Sequence, residues 1–445
     1  MGSSEPREDE PGAGAEDDEE PFSFAGMTET LPLSEAGGVS EEQSPTVTHG
    51  VAAGLSPVVV RLGWVSFFTD AASEMLYPLI PIFLTVTLGA PVVALGLVEG
   101  LADGVASGLK AVAGVIADRF RHHKRLVAAG YGLSALSKPL LALAPNWGVV
   151  AGLRVSDRIG KGVRGVPRDV MIDEVTAPEQ RGRAFGFHRA MDTAGAVVGP
   201  LVALAALTLI GKDRLRPVFL IAIVPGLASL LLIRTLPEST RPVDTPDRSH
   251  VALPWRSRFG WLIVVLVVFG LGNSSDAFLL LRAKNLGLSA SQVILAYALY
   301  NLVYAAVSLP AGIRADRIGR GRVFGAGLAV FALVYAGFGL IHHSSRELVW
   351  PLMAVYGVYM ALTDGVGRAL ALDYVPAEAR GRALGVTQAV TGLSVLVAGV
   401  TAGLLWDHVS PATPFLVGAV LGGSAAVVLA ASTWAGRDRA ARPEV

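Results

Sequence analysis

Apolar residues run along this chain in blocks too long for the core helices of a soluble protein. They begin with "VVVRLGWVSFF" at Val58 and recur to position 434. A helix crossing the hydrocarbon core of a bilayer needs about 20 mostly apolar residues. Twelve runs of that size can be laid out, over 58–86, 92–116, 124–145, 148–175, 183–211, 216–235, 258–282, 290–314, 322–341, 347–375, 381–406 and 411–434. The pattern predicts an all-α membrane protein with twelve transmembrane helices.

Composition agrees, with 52% hydrophobic residues, 17% charged residues and a mean hydropathy of +0.52, against roughly 25% charged in an ordinary soluble domain. The zero net charge conceals a division, because residues 1–57 hold thirteen Asp and Glu and a single base, Arg7. That segment has too few apolar groups to fold and reads as a disordered acidic tail. Its acidic start and the late first apolar run do not form a secretory signal, so the first run is expected to stay as a span. The chain has no cysteine, which excludes disulfides, thiolate metal sites and cysteine catalysis. Arg outnumbers Lys 31 to 6, a bias that points to a bacterial source.

The loops "DRFRHHKR" and "RADRIGRGR" and the turns "EQRGR" and "EARGR" are basic, and all four follow an even-numbered span. Positive loops stay on the cytoplasmic side, so both termini are expected in the cytoplasm and the protein in the inner (plasma) membrane. "GKDRLRP" at Gly211–Pro217 departs from that pattern. The polar, Pro-rich stretch after the sixth span reads as a cytoplasmic linker, 236–257, between halves 58–235 and 258–434, with 435–445 a second tail.

The halves repeat one another. "GVIADR" at Gly114–Arg119 answers "GIRADR" at Gly312–Arg317, and "RGRAFG" at Arg181 answers "RGRALG" at Arg380, with offsets of 198 and 199 residues. A duplicated six-helix bundle is one architecture of secondary transporters. These motifs resemble those of the major facilitator superfamily over 58–434. Its signature between spans two and three is similar to "GVIADRFRHHKR", and "RIGKG" at Arg158–Gly162 resembles the fourth-span motif with Lys161 where Gln is usual. "GAVVGPLVA" resembles the fifth-span motif of proton-driven exporters, with Ala203 where a further Gly is expected. The resemblance implies two pseudo-symmetric six-helix bundles in the MFS fold. It also implies gating roles for Gly114, Asp118, Arg119, Gly312, Asp316, Arg317, Gly195, Gly199 and Pro200.

Chemistry is carried by charges inside apolar runs, which are costly and mark functional sites. "RVSDRIGKGVRGVPRD", Arg154–Asp169, contains a Gly-x-Gly-x-x-Gly string, but no strand precedes it, so it is not a dinucleotide loop. On a helix, Arg154, Arg158, Lys161 and Arg168 fall near one face. Lipid exposure of that stripe would cost at least ~2.5 kcal/mol per charge at mid-depth, so it must face the bundle interior. It serves either as an internal ion-pair network or as an anionic-substrate site, with Arg164 and Arg168 nearer the cytoplasmic mouth. Asp70 and Glu74 lie four apart in the first span, roughly 18 and 24 Å from its start, where desolvation and nearby bases compete over their protons. Glu99 and Asp103 are the next coupling candidates, with Lys110 as their expected partner, and Gly96, Gly100, Gly104 and Gly108 form a packing ridge beside them. In the seventh span, Asn273, Ser275 and Asp276 add polar atoms, Asp276 answering Glu74 at an offset of 202. Asp364 and Arg368 form a reduced tenth-span counterpart of the stripe.

His188 and Asp192 have metal-ligand spacing without a third ligand, and neither a Walker loop nor a Ser-His-Asp set is present. The expectation is therefore a non-enzymatic, cofactor-free and metal-free protein that binds no nucleic acid and acts as a monomer in the lipid bilayer. Its leading function is proton-coupled export of a small organic molecule, an anionic one included. Two alternatives stand beside it: transport of a divalent cation through Asp70, Glu74, Asn273 and Asp276, and a non-transporting receptor or scaffold. Deleting residues 1–50 should leave fold and transport intact, because the tail has no apolar pattern with which to dock. Loss of monodisperse protein after that truncation would show the tail to be structural.

Overall fold

The computed structural model describes residues 54–119, 123–177, 180–211, 214–238, 252–376 and 379–440. Side chains are described throughout these segments except at 110–119, 182 and 432–440. Most of the acidic tail, most of the linker and the side-chain readings at Lys110, Asp118 and Arg119 lie outside the described residues, as does the packing at Gly114. The described elements are all helical. They form twelve runs in chain order: α1 Pro57–Leu76, α2 Val92–Arg119, α3 His123–Leu140, α4 Trp147–Glu174, α5 Arg181–Ile210 and α6 Leu215–Arg234, then α7 Arg258–Asn285, α8 Ala290–Ile318, α9 Arg320–Leu340, α10 Val349–Asp373, α11 Arg380–His408 and α12 Thr413–Ala440. Ten are long and apolar enough to cross a membrane. The two others, α1 and α4, each carry intramembrane charges that the sequence singled out, Asp70 and Glu74 in α1 and Arg154, Arg158 and Lys161 in α4.

Two helices are broken near their middles. Beyond Leu76, α1 continues to Thr87 as short tight and wide turns, because Pro78 and Pro81 have no N–H to give the helical ladder. In α7, Arg258–Gly272 stops at Asn273 and Asp276–Asn285 restarts after Ser275, whose hydroxyl accepts the Ala277 N–H at 3.4 Å. That restart puts Asp276 in a first helical turn, where unsatisfied N–H groups favour a negative charge.

The halves meet mainly where α2 packs on α11 and α5 on α8. The first seam is made of glycine. A Cβ on Gly96 would stand 2.0 Å from the Gly399 carbonyl oxygen, and one on Gly403 would stand 2.4 Å from the Val93 Cα. Gly100 faces Leu396 and Gly104 approaches Gly392, but Gly108 has nothing nearby, so the expected ridge packs over three of its four glycines. At the far end of the seam Asp407 of α11 accepts the first N–H groups of α2, from Val92 at 3.0 Å and Val93 at 2.8 Å.

The seam closes one end of the molecule. Around the α1–α2 turn, one apolar core joins residues of both halves, including Leu79, Phe83, Leu95, Phe278 and Leu281. Toward the opposite end the cores divide. Val59, Leu62, Tyr131, Ile172 and Ile233 form a cluster of the first half, and Phe259, Val375, Ala379 and Ala383 one of the second. Gly96→Leu should wedge the seam apart, since overpacking a tight contact costs about 1–3 kcal/mol. With Val92→Cys as the single thiol of the chain, maleimide labelling from the α1–α2 side should speed up by roughly tenfold in the Gly96→Leu background; equal rates would show that the seam does not control that end.

Candidate functional site

The site is built on α4, whose start is fixed by Asn146: its Oδ1 accepts the Val149 N–H at 3.1 Å. Two turns on, Arg154 lays a fork on Glu99 of α2, Nε to Oε1 at 3.0 Å and a terminal nitrogen to Oε2 at 2.7 Å. Both side chains are buried, Glu99 with 0% and Arg154 with 5% exposure. On the neighbouring face Asp157 takes Lys138 of α3 at 3.0 Å, a hydrogen bond from Ser134, and Arg154 at 3.8 Å. Ion pairs this dry persist only when their donors and acceptors are answered, and the fork answers both Glu99 oxygens. Neither Glu99 nor Arg154 lines the central cavity.

That cavity encloses about 520 Å³ between the halves, within the range of small-molecule pockets. Glu74, Asp103, Arg158, Lys161, Asn273, Ser275 and Asp276 line it, as do Asp364 and Arg368. Arg158 reaches Asp103 at 3.3 Å. Arg368 pairs with Asp364 at 2.5 Å. Lys161 is exposed to the cavity and makes neither a hydrogen bond nor an ion pair. Asp70 does not line the cavity; the charges acting on it most strongly are those of Lys161 and Asp192, and Asp192 accepts a hydrogen bond from Ser66. Arg164 is buried, 4% exposed, with its guanidinium 4.2 Å over the Tyr131 ring.

Tyrosines supply what the sequence reading missed. Tyr297 donates to Glu74, Tyr300 and Tyr356 donate to Asp276 at 3.1 and 2.6 Å, and Tyr304 donates to Asp364 at 2.9 Å. Their signal was present as spacing: Tyr297, Tyr300 and Tyr304 recur at three and seven residues, and Tyr356 and Tyr359 at three, which are helical-face intervals. Hydropathy hid them, because a tyrosine in an apolar run does not stand out as a charge does.

The residues assigned to gating fall into two kinds. A Cβ on Gly195 would lie 2.4 Å from the Phe67 carbonyl oxygen and one on Gly199 would lie 2.5 Å from that of Ala71, so both permit α5 to press on α1, with Pro200 buried beside them. Asp316 pairs with Arg320 at 2.9 Å, and Arg320 also takes Asp373 of α10 at 2.5 Å. Arg317 is exposed and Gly312 faces open space. His188 lies 3.9 Å from Asp192, and no group of three metal-ligating side chains occurs among the described residues.

A two-half helical bundle with a polar cavity between its halves defines a membrane transporter. The family profile of the Major Facilitator Superfamily matches residues 62–282 and again 277–444, and the chain belongs to that family. It is 34% identical over 376 residues to an uncharacterised MFS-type transporter of Methanocaldococcus jannaschii, an alignment covering 82% of this chain and 92% of the relative. A shorter similarity, 33% over 128 residues, links it to the multidrug resistance protein MdtH of Photorhabdus laumondii, covering 29% of this chain and 32% of that one. Among solved structures the nucleoside transporter NupG shares the fold with a TM-score of 0.69 at 14% identity, covering 85% of this chain and 99% of that one.

Glu99→Gln leaves the buried Arg154 with only the longer contact to Asp157 at 3.8 Å, and it should lower unfolding stability by about 3 kcal/mol. Asp103→Asn loosens a pair that is 18% and 36% exposed and should cost about 1 kcal/mol or less. Thermal unfolding of the two purified variants checks the order; a more damaging Asp103→Asn would show that the fork is not what fixes α4.

Proposed function

We propose that this transporter couples proton movement to the export of a small organic molecule, working by alternating access in the plasma membrane with both termini in the cytoplasm. The observation that carries the reading is the inter-half cavity, sealed at the α1–α2 turn, in which Glu74 and Asp276 face Lys161 without an ion pair joining them. A carboxylate answered only by a tyrosine hydroxyl can lose or gain a proton as a base approaches or withdraws. The basic loops after even-numbered helices support an outward position for the sealed end, and in this reading the cavity loads from the cytoplasm. Export also fits the Gly195–Gly199–Pro200 motif of α5 and the partial similarity to a multidrug resistance protein.

The divalent-cation reading lacks a cluster of three metal-ligating side chains among the described residues. A scaffold has no use for the desolvation cost of Glu74, Lys161 and Asp276 in one cavity.

In proteoliposomes loaded with a panel of organic solutes, an imposed pH gradient should drive wild-type accumulation. Glu74→Gln should abolish that accumulation yet leave counterflow, because exchange of bound substrate needs no net proton movement. Asp70→Asn tests the carboxylate behind the cavity in the same way. If the double variant still concentrated solute at the wild-type rate, proton coupling through α1 would be wrong.

A further inference from the structure

We infer that the substrate is a zwitterion, with an organic ammonium among the tyrosines against Asp276 and Glu74 and an anionic group at Lys161 and Arg158. The inference rests on the cavity being the transport site, and it names the chemistry that the cavity takes.

The acidic wall is aromatic. Tyr77, Tyr297, Tyr300, Tyr356 and Tyr359 stand in one continuous file, with successive ring centroids 5.4, 5.4, 5.3 and 5.1 Å apart. Ring faces attract a cation through their quadrupole, more strongly where water is excluded. The file surrounds carboxylates whose close partners are neutral: two tyrosine hydroxyls on Asp276 and one on Glu74. A hydroxyl orients a carboxylate without cancelling its charge, so a positive group entering here meets uncompensated negative charge. Beside them the Asn273 Oδ1 is a buried acceptor with no hydrogen-bond partner, which suits an ammonium N–H.

The basic wall belongs to α4 and is open in the opposite sense. Lys161 is exposed to the cavity and makes no hydrogen bond or ion pair, and the Arg158 Nε is a buried donor without a partner although its other end holds Asp103. Had the two walls been built to neutralise each other, the flexible Lys161 ammonium would sit on Glu74. It feels that carboxylate and Asp70 only at longer range. A lone cation would leave the α4 donors unanswered, and a lone anion would leave the acidic wall unanswered. Buried groups left unpaired in this way are where polar sites gain their discrimination. One molecule carrying both charges answers both walls.

Two matched probe trios test this on the full chain in nanodiscs by calorimetry: phenylalanine, phenethylamine and phenylpropionate, and para-(aminomethyl)benzoate, benzylamine and benzoate. In at least one trio the zwitterion should bind roughly tenfold tighter than either singly charged analogue. Lys161→Gln should erase its advantage over the amine, and Asp276→Asn its advantage over the carboxylate. If the amine binds wild type as tightly as the zwitterion, Lys161 is an internal counter-charge and the inference is overturned. Equal binding of the carboxylate overturns it from the other side, and so does absence of binding by both zwitterions. Should a variant not purify as a monodisperse protein, the wild-type trios decide alone. Zwitterion binding without pH-driven flux would refute proton coupling and leave the inference standing.

Discussion

A guanidinium stays charged inside an apolar bundle only when its donors are answered, and the fork of Arg154 on Glu99 does this between α4 and α2. The fork fixes the rotation of α4. Arg158 and Lys161 follow four and seven residues later, close to the same face and roughly 6 and 10 Å further along the axis, so both are carried into the cavity. Asp157, turned away from that face, finds Lys138 and Ser134 on α3. Close backbone approach completes the arrangement, since a Cβ on Gly160 would stand 2.4 Å from the Gly130 carbonyl oxygen. With α2, α3 and α4 held in this way, the first half can move as one body, and the orientation of its basic wall does not depend on what fills the cavity.

The second half solves the same problem with different chemistry. Asp276 and Asp364 are met by tyrosine hydroxyls of α8 and α10, with an arginine added at Asp364 alone. A hydroxyl bond is weaker than a buried ion pair and can be exchanged for a ligand or water at small cost. The break in α7 makes Asp276 tenable without a base, because the carboxylate begins a helical segment capped by Ser275. The two sides of the cavity therefore differ in stiffness as well as in sign: a basic wall anchored by ion pairs faces an acidic wall whose contacts can be traded.

Much of this was legible in the sequence, and the reason is physical. Charges in apolar runs are rare, so Glu74, Arg158, Lys161 and Asp276 could be picked out residue by residue, and the duplicated motifs brought α1 and α7 to one cavity. Partnership was harder to read. The structure joins Glu99 to Arg154 and Asp103 to Arg158, pairs separated by 55 residues in each case, and helical spacing within one span cannot show a partner that far along the chain. Asp70 shares a helical face with Glu74, yet only Glu74 lines the cavity, so helical spacing alone did not separate the two. The tyrosine file was illegible for a further reason: its meaning arises from three helices together, and no one of them carries it.

The glycine seam sets how the halves can part. Where α2 meets α11 the contact is backbone on backbone at Gly96 and Gly399, with Leu396 lying over Gly100 and Ser107 over Gly392 further along. Such contacts gain dispersion energy from close approach, and at Gly96 and Gly399 the backbones can separate without a rotamer change at either residue. The polar contact at the end of the seam is equally reversible. Asp407 accepts the Val92 and Val93 N–H groups at a partly exposed helix start, where water can replace it as the helices separate. The fork of Arg154 has no such substitute, being dry. The dry ion pair of the basic wall therefore lies within one half, and the contacts along the seam between halves are exchangeable, so the proposed alternating access would not require the basic wall to lose its counter-charges.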